Sequence, residues 1–354
     1  MFISIIVPVF NEEKYISKCI YSVLELELPE NVTTELLIID GNSTDKTIEI
    51  VSELQKKTSN LFLIKNPKRI QAVALNIAIK KSKGEFILRL DAHAEYPNDY
   101  LSKLLETAKR INSDNTGGLV VTKEGDGGYQ ASLVQALTTH KFGVGNSGFR
   151  IGVKEGFADT VPYGFFKKTI FEKIGLFDER LVRAQDYEFN RRIIESGGKI
   201  WLNPDIYCYY YNQNSLFGFL KKQFVLEAPY NAYMWYLAPY TFAYRHAITG
   251  VFAFGVLSGI ILSIFSPIIK YLFVFILFLY AVLSIMSALQ QSIRFKKFRH
   301  FFLLPISFFL YHFIHGLGVL KGIMLLILQK APVQKTKEPW PGAGRFRAWI
   351  KKEI

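Results

Sequence analysis

A chain of 354 residues, half of them hydrophobic and 30 of them Phe, is longer than one compact domain requires, and its apolar residues crowd into the last third. Before Tyr244 stand 29 basic and 28 acidic residues and after it 14 and 2, so the net +13 belongs almost wholly to the apolar end. Cations beside apolar segments suit anionic lipid headgroups, whereas a nucleic-acid binder carries them on its soluble domain; membrane lipids are the expected partner, with no nucleic acid.

The two cysteines, Cys19 and Cys208, have no metal-ligand spacing and fit a reducing compartment. Met1 to Val9 is apolar without a basic start or a small-residue cleavage site, and reads as a first strand rather than a signal peptide. Strand and helix patterns then alternate. Phe2 to Val7 is followed by Tyr15, Ile16, Cys19, Ile20, Val23 and Leu24 at helical spacing. Leu36 to Ile39 precedes a helix over Thr47 to Lys57, and Leu61 to Ile64 a helix over Ile70 to Lys81, before a fourth strand at Phe86 to Leu90. Such alternation predicts an α/β fold with a mainly parallel, doubly wound sheet.

Ligands of such sheets sit outside the carboxyl ends of the strands, so the residues just after each strand carry the information. They are Pro8 to Glu13, Asp40 to Asp45, Asn66-Pro67 and Asp91-Ala92-His93. Ser43, Thr44 and Asp45 read equally well as helix caps. Asp40 and Asp91 end apolar strands, where an unpaired charge is costly without a ligand or metal. The glycine-dense stretches 125–128 and 143–148 read as loops over the crevice, either a lid or plain surface. Further on, Phe171 to Phe177 and Glu188 to Ser196 read as helical, and Lys199 to Leu202 as a late strand.

From about Tyr207 the chain is rich in Tyr and Trp among Lys221, Lys222 and Arg245, the composition of a headgroup-level segment, with Ser215 to Ala228 as an interfacial helix. Ala247 to Ser266 and Tyr271 to Leu289 are uncharged apolar runs long enough to cross hydrocarbon. Phe301 to Leu328 is apolar but interrupted by Pro305, His312, His315, Gly316, Gly318 and Lys321, which predicts a re-entrant or interfacial segment. The expected organisation is a catalytic domain over 1–206, interfacial helices over 207–246, a membrane region over 247–328 and a basic tail over 329–354. The loop Gln290 to His300 holds Arg294, Lys296, Lys297 and Arg299 while the opposite turn offers only Lys270, so the positive-inside bias places the first domain in the cytoplasm, at the plasma membrane.

An oxidoreductase-type dinucleotide fold needs glycines right after strand one, and the first glycine is Gly41; a phosphate-binding loop is absent too. Over residues 2 to 205 the sequence resembles glycosyltransferase family 2, the inverting enzymes of the GT-A fold. The resemblance rests on Val7-Pro8-Val9-Phe10-Asn11-Glu12-Glu13, Asp40-Gly41-Asn42-Ser43-Thr44-Asp45, Asn76, Asp91-Ala92-His93 and Gln185-Asp186 ahead of Arg191, in that order. The runs Arg89 to Pro97 and Asp159-Thr160-Val161, with the membrane tail, are similar to the succinoglycan-type exopolysaccharide branch.

The resemblance implies a nucleotide-sugar donor, a lipid-linked or polysaccharide acceptor and a divalent metal. Pro8, Asn11 and Glu12 would line the nucleoside pocket and Asp40 would accept from the base, an arrangement suited to uracil. Asp91 would hold ribose or the metal, with His93 where the family has its second Asp. Imidazole favours Mn²⁺ over Mg²⁺. Asp186 would be the catalytic base, with Gln185 replacing the usual Glu. The processive members' Gln-x-x-Arg-Trp is Gln-Phe-Val-Leu-Glu at Gln223, which points to one sugar per encounter. The competing reading is a catalytically degenerate scaffold or transport component of a polysaccharide synthase.

Overall fold

A computed structural model describes residues 1–125 and 128–333. The described residues form two units, one of Met1–Val121 with Gly152–Tyr210, the other of Thr122–Ile151 with 211–333.

The first unit is built on a nine-stranded sheet. Its strands are β1 (Phe2–Val9), β2 (Thr33–Asp40), β3 (Leu61–Lys65), β4 (Phe86–Arg89), β5 (Ala94–Glu95), β6 (Asn115–Lys123), β7 (Gly156–Phe157), β8 (Phe165–Lys167) and β9 (Ile200–Tyr211). The order β3-β2-β1-β4 is parallel throughout, the alternation predicted above. Ile3 to Val7 and Leu36 to Ile39 are buried because helices cover both faces of a parallel sheet. The sheet continues past β4 through β8, β6, β9 and β5, with β8 antiparallel to both β4 and β6. This second half depends on long-range pairing of short strands that periodicity does not reveal.

Helices Ile16–Leu24, Thr47–Lys57 and Gln71–Lys81 are the crossovers of the parallel half. The late helices are Thr169–Ile174 and Gln185–Glu195, and Phe166, Phe171, Phe177 and Phe189 stack into one aromatic core beneath them. Asn76 ties the third crossover to this core: its side chain accepts from Phe177 N and donates to Phe177 O, at 3.0 and 2.9 Å.

The second unit contains three helices long and apolar enough to cross a membrane, Tyr244–Phe265, Pro267–Phe295 and Arg299–Ile327. Phe252 stacks on Tyr280 and Gly259 faces Phe273, so the first two form an antiparallel hairpin. The third is one continuous helix, and its expected interruptions do not break it. A segment that enters and returns needs a reversal of the backbone, and the described residues 299–327 contain none. Gly316, Gly318 and Gly322 serve as close-packing points instead: a Cβ at Gly316 would fall 2.0 Å from Thr249 O, and one at Gly318 2.7 Å from Ala228 Cβ.

The aromatic segment forms helix Leu216–Lys222, a π-turn and helix Ala228–Leu237, whose buried face packs on the third apolar helix. The stretches expected as crevice loops belong to this unit. Gly143 lies in a short helix, where a Cβ would meet Leu137 O at 2.0 Å, and Gly125 N donates to Asn212 Oδ1 at 3.0 Å. Within 125–128, residues 126 and 127 lie outside the described residues, as does the tail from 334 onward.

Candidate active site

The parallel register places the ends of β1, β2 and β4 side by side, with Val9 opposite Asp40 and Ile6 opposite Arg89. Two loops leave this edge and are stitched together by side chains. Asn11 takes a left-handed φ of 56° and its N–H donates to Ser43 Oγ at 2.9 Å, while its Oδ1 accepts from Thr44 N at 2.8 Å. Glu12 N donates to Thr47 Oγ1 at 2.8 Å, and Glu13 and Asp45 each accept from the other loop's backbone at 3.1 Å. Asn11 therefore shapes the loop, Ser43 and Thr44 fasten it, and Asp45 also caps the following helix, accepting from Thr47 N at 3.0 Å.

Asp40 is almost fully buried, yet the cost anticipated for an unpaired charge is partly met locally. Its carboxylate accepts from Asn42 N at 2.9 Å and Ser43 N at 3.1 Å. A carboxylate has about four acceptor positions, so capacity remains for an incoming N–H. Pro8, half-buried one residue before the end of β1, lies opposite Ile39 and contributes no donor. The ring of Phe10 is 48% exposed beside Gly41, with the Arg69 guanidinium 5.8 Å from its centroid. Phe10 and Arg69 were not singled out from the sequence. An aromatic in the polar loop after one strand and a cation after another were the available signals, and only the shared sheet edge joins them.

Arg89, at the end of β4, is buried. Its Nη2 donates to Asp91 Oδ1 at 2.9 Å and its guanidinium lies 5.7 Å from the Tyr163 ring centroid. Burial opposes its charge, but the Asp91 and then the Asp186 carboxylates outweigh that penalty and raise its pKa further. Asp91 is also held through its backbone: its N–H donates to Tyr96 Oη at 2.9 Å, and that hydroxyl donates to Asp91 O at 3.1 Å. Cys19 lies behind Asp91, and burial, followed by the Asp91 and Glu12 charges, pushes its thiol up to about 12.

His93 Nδ1 is 3.4 Å from Glu12 Oε1, and its ring meets Tyr210 edge-on at 5.3 Å. A carboxylate beside Nδ1 orients the ring from that side. Among the described residues no group of three or more His, Cys, Asp or Glu side chains is placed to hold an ion. Asp91 and His93, the pair expected to hold a metal, therefore have no third such side chain placed with them among the described residues.

Asp186 lies in the first turn of Gln185–Glu195, entered through Ala184 at φ 63°, a left-handed conformation costly for a residue with a side chain. Its Oδ1 accepts from Tyr187 N at 2.8 Å. Gln185 turns away, donating to Gln71 Oε1 at 2.7 Å. Its amide ties the late helix to the third crossover. The Arg89 guanidinium feels both Asp91 and Asp186, which brings the strand-end and helix-start carboxylates into one electrostatic unit.

The sequence profile of Glycosyl transferase family 2 matches residues 4–175. Among curated proteins, the chain is 32% identical to dolichyl N-acetyl-α-D-glucosaminyl phosphate 3-β-D-2,3-diacetamido-2,3-dideoxy-β-D-glucuronosyltransferase of Methanococcus voltae, over 91% of this chain and 97% of that protein. It is 29% identical to the succinoglycan biosynthesis protein ExoA of Rhizobium meliloti, over 60% of this chain and 64% of that one. Among solved structures, a mannosyltransferase from Pyrobaculum calidifontis in complex with GDP-Man and Mn²⁺ shares the fold at a TM-score of 0.56 and 16% identity, covering 93% and 87% of the two chains. With the strand-end carboxylates, the stitched loops and a relative matched over nearly its full length, the chain belongs to glycosyltransferase family 2 and is a glycosyltransferase.

Proposed function

We propose that the protein transfers a sugar, with inversion, from a UDP-sugar to a lipid-linked acceptor at the cytoplasmic face of the plasma membrane. The observation that supports this reading is the position of Asp40 at the end of β2 and of the Arg89–Asp91 pair at the end of β4, with the charge of Asp186 also acting on Arg89. Asp40 has acceptor capacity for the uracil N–H, and Phe10 offers a flat face for the base. Pro8 and the loop shaped by Asn11 and Glu12 close the nucleoside side.

Asp91 and His93 would hold a divalent metal, which when bound screens the diphosphate and stabilises the departing nucleotide. Asp186 accepts the proton of the acceptor hydroxyl as that oxygen attacks the anomeric carbon from the face opposite the leaving group. The name of the M. voltae relative describes a dolichyl-phosphate-linked acceptor, and the apolar unit of this chain supports a similar lipid-borne substrate. Membranes containing the protein, incubated with a panel of radiolabelled nucleotide sugars and extracted with solvent, should yield labelled lipid with one of them, UDP-linked. Label that stays water-soluble with every donor would reject a lipid-linked acceptor.

A further inference from the structure

The Asp159-Thr160-Val161 motif opens a segment between β7 and β8 that supplies none of the candidate ligand groups, yet the first unit holds it at several points. Thr160 Oγ1 accepts from Asn190 Nδ2 at 2.9 Å and Asn190 Oδ1 accepts from Asn115 Nδ2 at 2.7 Å, so a chain of amides ties the segment to β6 and to helix Gln185–Glu195. Val161 is buried against Gly117, where a Cβ would fall 2.5 Å from Val161 Cβ. Gly164, at φ 108°, presents its carbonyl to Arg89 N at 3.0 Å. Between these anchors Tyr163 is buried at φ 59°, a left-handed conformation costly for a residue with a side chain. Such strain persists only where the surroundings over-determine it, and it gathers at functional sites. The Arg89 guanidinium carbon lies 5.7 Å from the centroid of the Tyr163 ring, and the Tyr96 ring meets it edge-on at 6.0 Å. Both of these neighbours hold Asp91: Arg89 Nη2 donates to its Oδ1 at 2.9 Å, and Tyr96 Oη bonds its backbone N and O.

We propose that Tyr163 is a positioning residue of the donor site, acting on Asp91 through Arg89 and Tyr96. This deepens the function proposed above and rests on it for the role of Asp91. A guanidinium held only by a carboxylate two residues away can swing about its flexible stem, and the aromatic face fixes its plane. The edge-on contact in turn fixes the tyrosine that grips the Asp91 backbone. One ring thus sets both the side chain and the main chain of Asp91, and misplacement of a binding group by about 1 Å is enough to weaken its contacts. An ordinary φ at Tyr163 would redirect the ring away from Arg89, which gives the strain a function.

Nucleotide binding tests this without turnover. UDP is titrated into the detergent-solubilised full chain in excess Mn²⁺ and followed by calorimetry. Tyr163→Leu should weaken binding about tenfold, and Tyr163→Phe, which keeps the ring, should restore most of the loss. Tyr163→Gly suits the left-handed backbone and should show the same weakening, so it decides if Tyr163→Leu folds poorly. In an Asp91→Ala background Tyr163→Leu should cause little further loss, because a positioning residue then has nothing left to place. Unchanged binding by folded Tyr163→Leu or Tyr163→Gly, equal weakening by Tyr163→Phe, or the same fold-loss with and without Asp91 would each overturn the proposal and leave Asp91 in the donor site. Wild-type binding by Asp91→Ala, or no binding of UDP by the unsubstituted chain, would instead reject the donor site as drawn, and the role of Tyr163 with it.

Discussion

At the scale of single residues, the candidate site is a set of carboxylates that differ in their contacts. Asp40 accepts from two backbone amides, Asp91 from the Arg89 guanidinium, and Asp186 from the Tyr187 N–H. If Asp186 takes the acceptor proton, Asp186→Asn should lower kcat by roughly 10²- to 10⁴-fold while donor binding, followed by calorimetry, persists. Near-normal transfer by the folded variant would remove Asp186 from the mechanism. A chelator should abolish transfer, and Mn²⁺ should restore it at least as well as Mg²⁺, because a set that includes imidazole favours the transition metal. Full activity in excess chelator would reject metal dependence. Cys19, its thiol pushed up to about 12, remains protonated at neutral pH, so alkylating reagents should leave it unmodified in the folded protein and label it after denaturation.

At the scale of elements, the helix that carries Asp186 is fixed from within by Glu188 and Arg192, both fully buried and paired, with Arg192 also donating to Ile174 O and Leu176 O. Arg192→Met strands a buried carboxylate and should cost about 3–5 kcal/mol of stability, read from thermal or denaturant unfolding. Glu188→Met with Arg192→Met should recover much of that loss; equal destabilisation by single and double variants would show that the backbone contacts dominate. In the apolar unit, Gly316→Val forces a side chain against Thr249 O and should lower the melting temperature, whereas at Gly255, where a Cβ meets nothing within 4 Å, Ala should be tolerated.

At the scale of the molecule, the direction of the third apolar helix bears on how many helices cross. Pro305 O accepts from Ser284, Phe309 meets Phe252, His312 Nδ1 lies 2.8 Å from Tyr280 Oη, and Gly316 and Val319 pack on Thr249 and Gly250. In the antiparallel register of the hairpin, Ser284 is level with residue 248, so all these partners fall within about 8 Å along it. From Pro305 to Val319 the third helix advances about 21 Å. Before Pro305 it follows the second helix, with His300 meeting the Phe295 ring and Leu304 sharing a core with Ala288, and its length suffices to span.

The loop at 290–300 is bound to helix Tyr129–Thr138 of the same unit. Gln291 Nε2 donates to Ala136 O at 2.6 Å, Arg294 to Thr139 O at 3.0 Å, and His300 bonds Tyr129 and Ser132. We expect this loop, the catalytic domain and the chain end beyond Lys330 on the cytoplasmic side. A cysteine introduced at Lys330 should resist an impermeant reagent in intact cells and react after permeabilisation; labelling without permeabilisation would mean that the third helix spans. The charges that drive this expectation, Lys335, Lys337, Arg345, Arg347, Lys351 and Lys352, lie outside the described residues.

The parallel half of the sheet, the polar strand ends and the apolar runs were legible in the sequence because each depends on local period and on residues a few places apart. Motifs in order also named Asp40, Asp91, His93 and Asp186 as candidates. Tertiary structure alone showed which polar groups already have partners: Asn11 and Ser43 are fasteners, Asp40 is half-satisfied, and Asn76 and Gln185 hold helices. It alone joined Phe10 to Arg69, drew residues 122–151 into the apolar unit, and turned Pro305, Gly316 and Gly318 from apparent interruptions into parts of one packed helix. Those outcomes depend on contacts between segments far apart in the chain, whose partners no local pattern names.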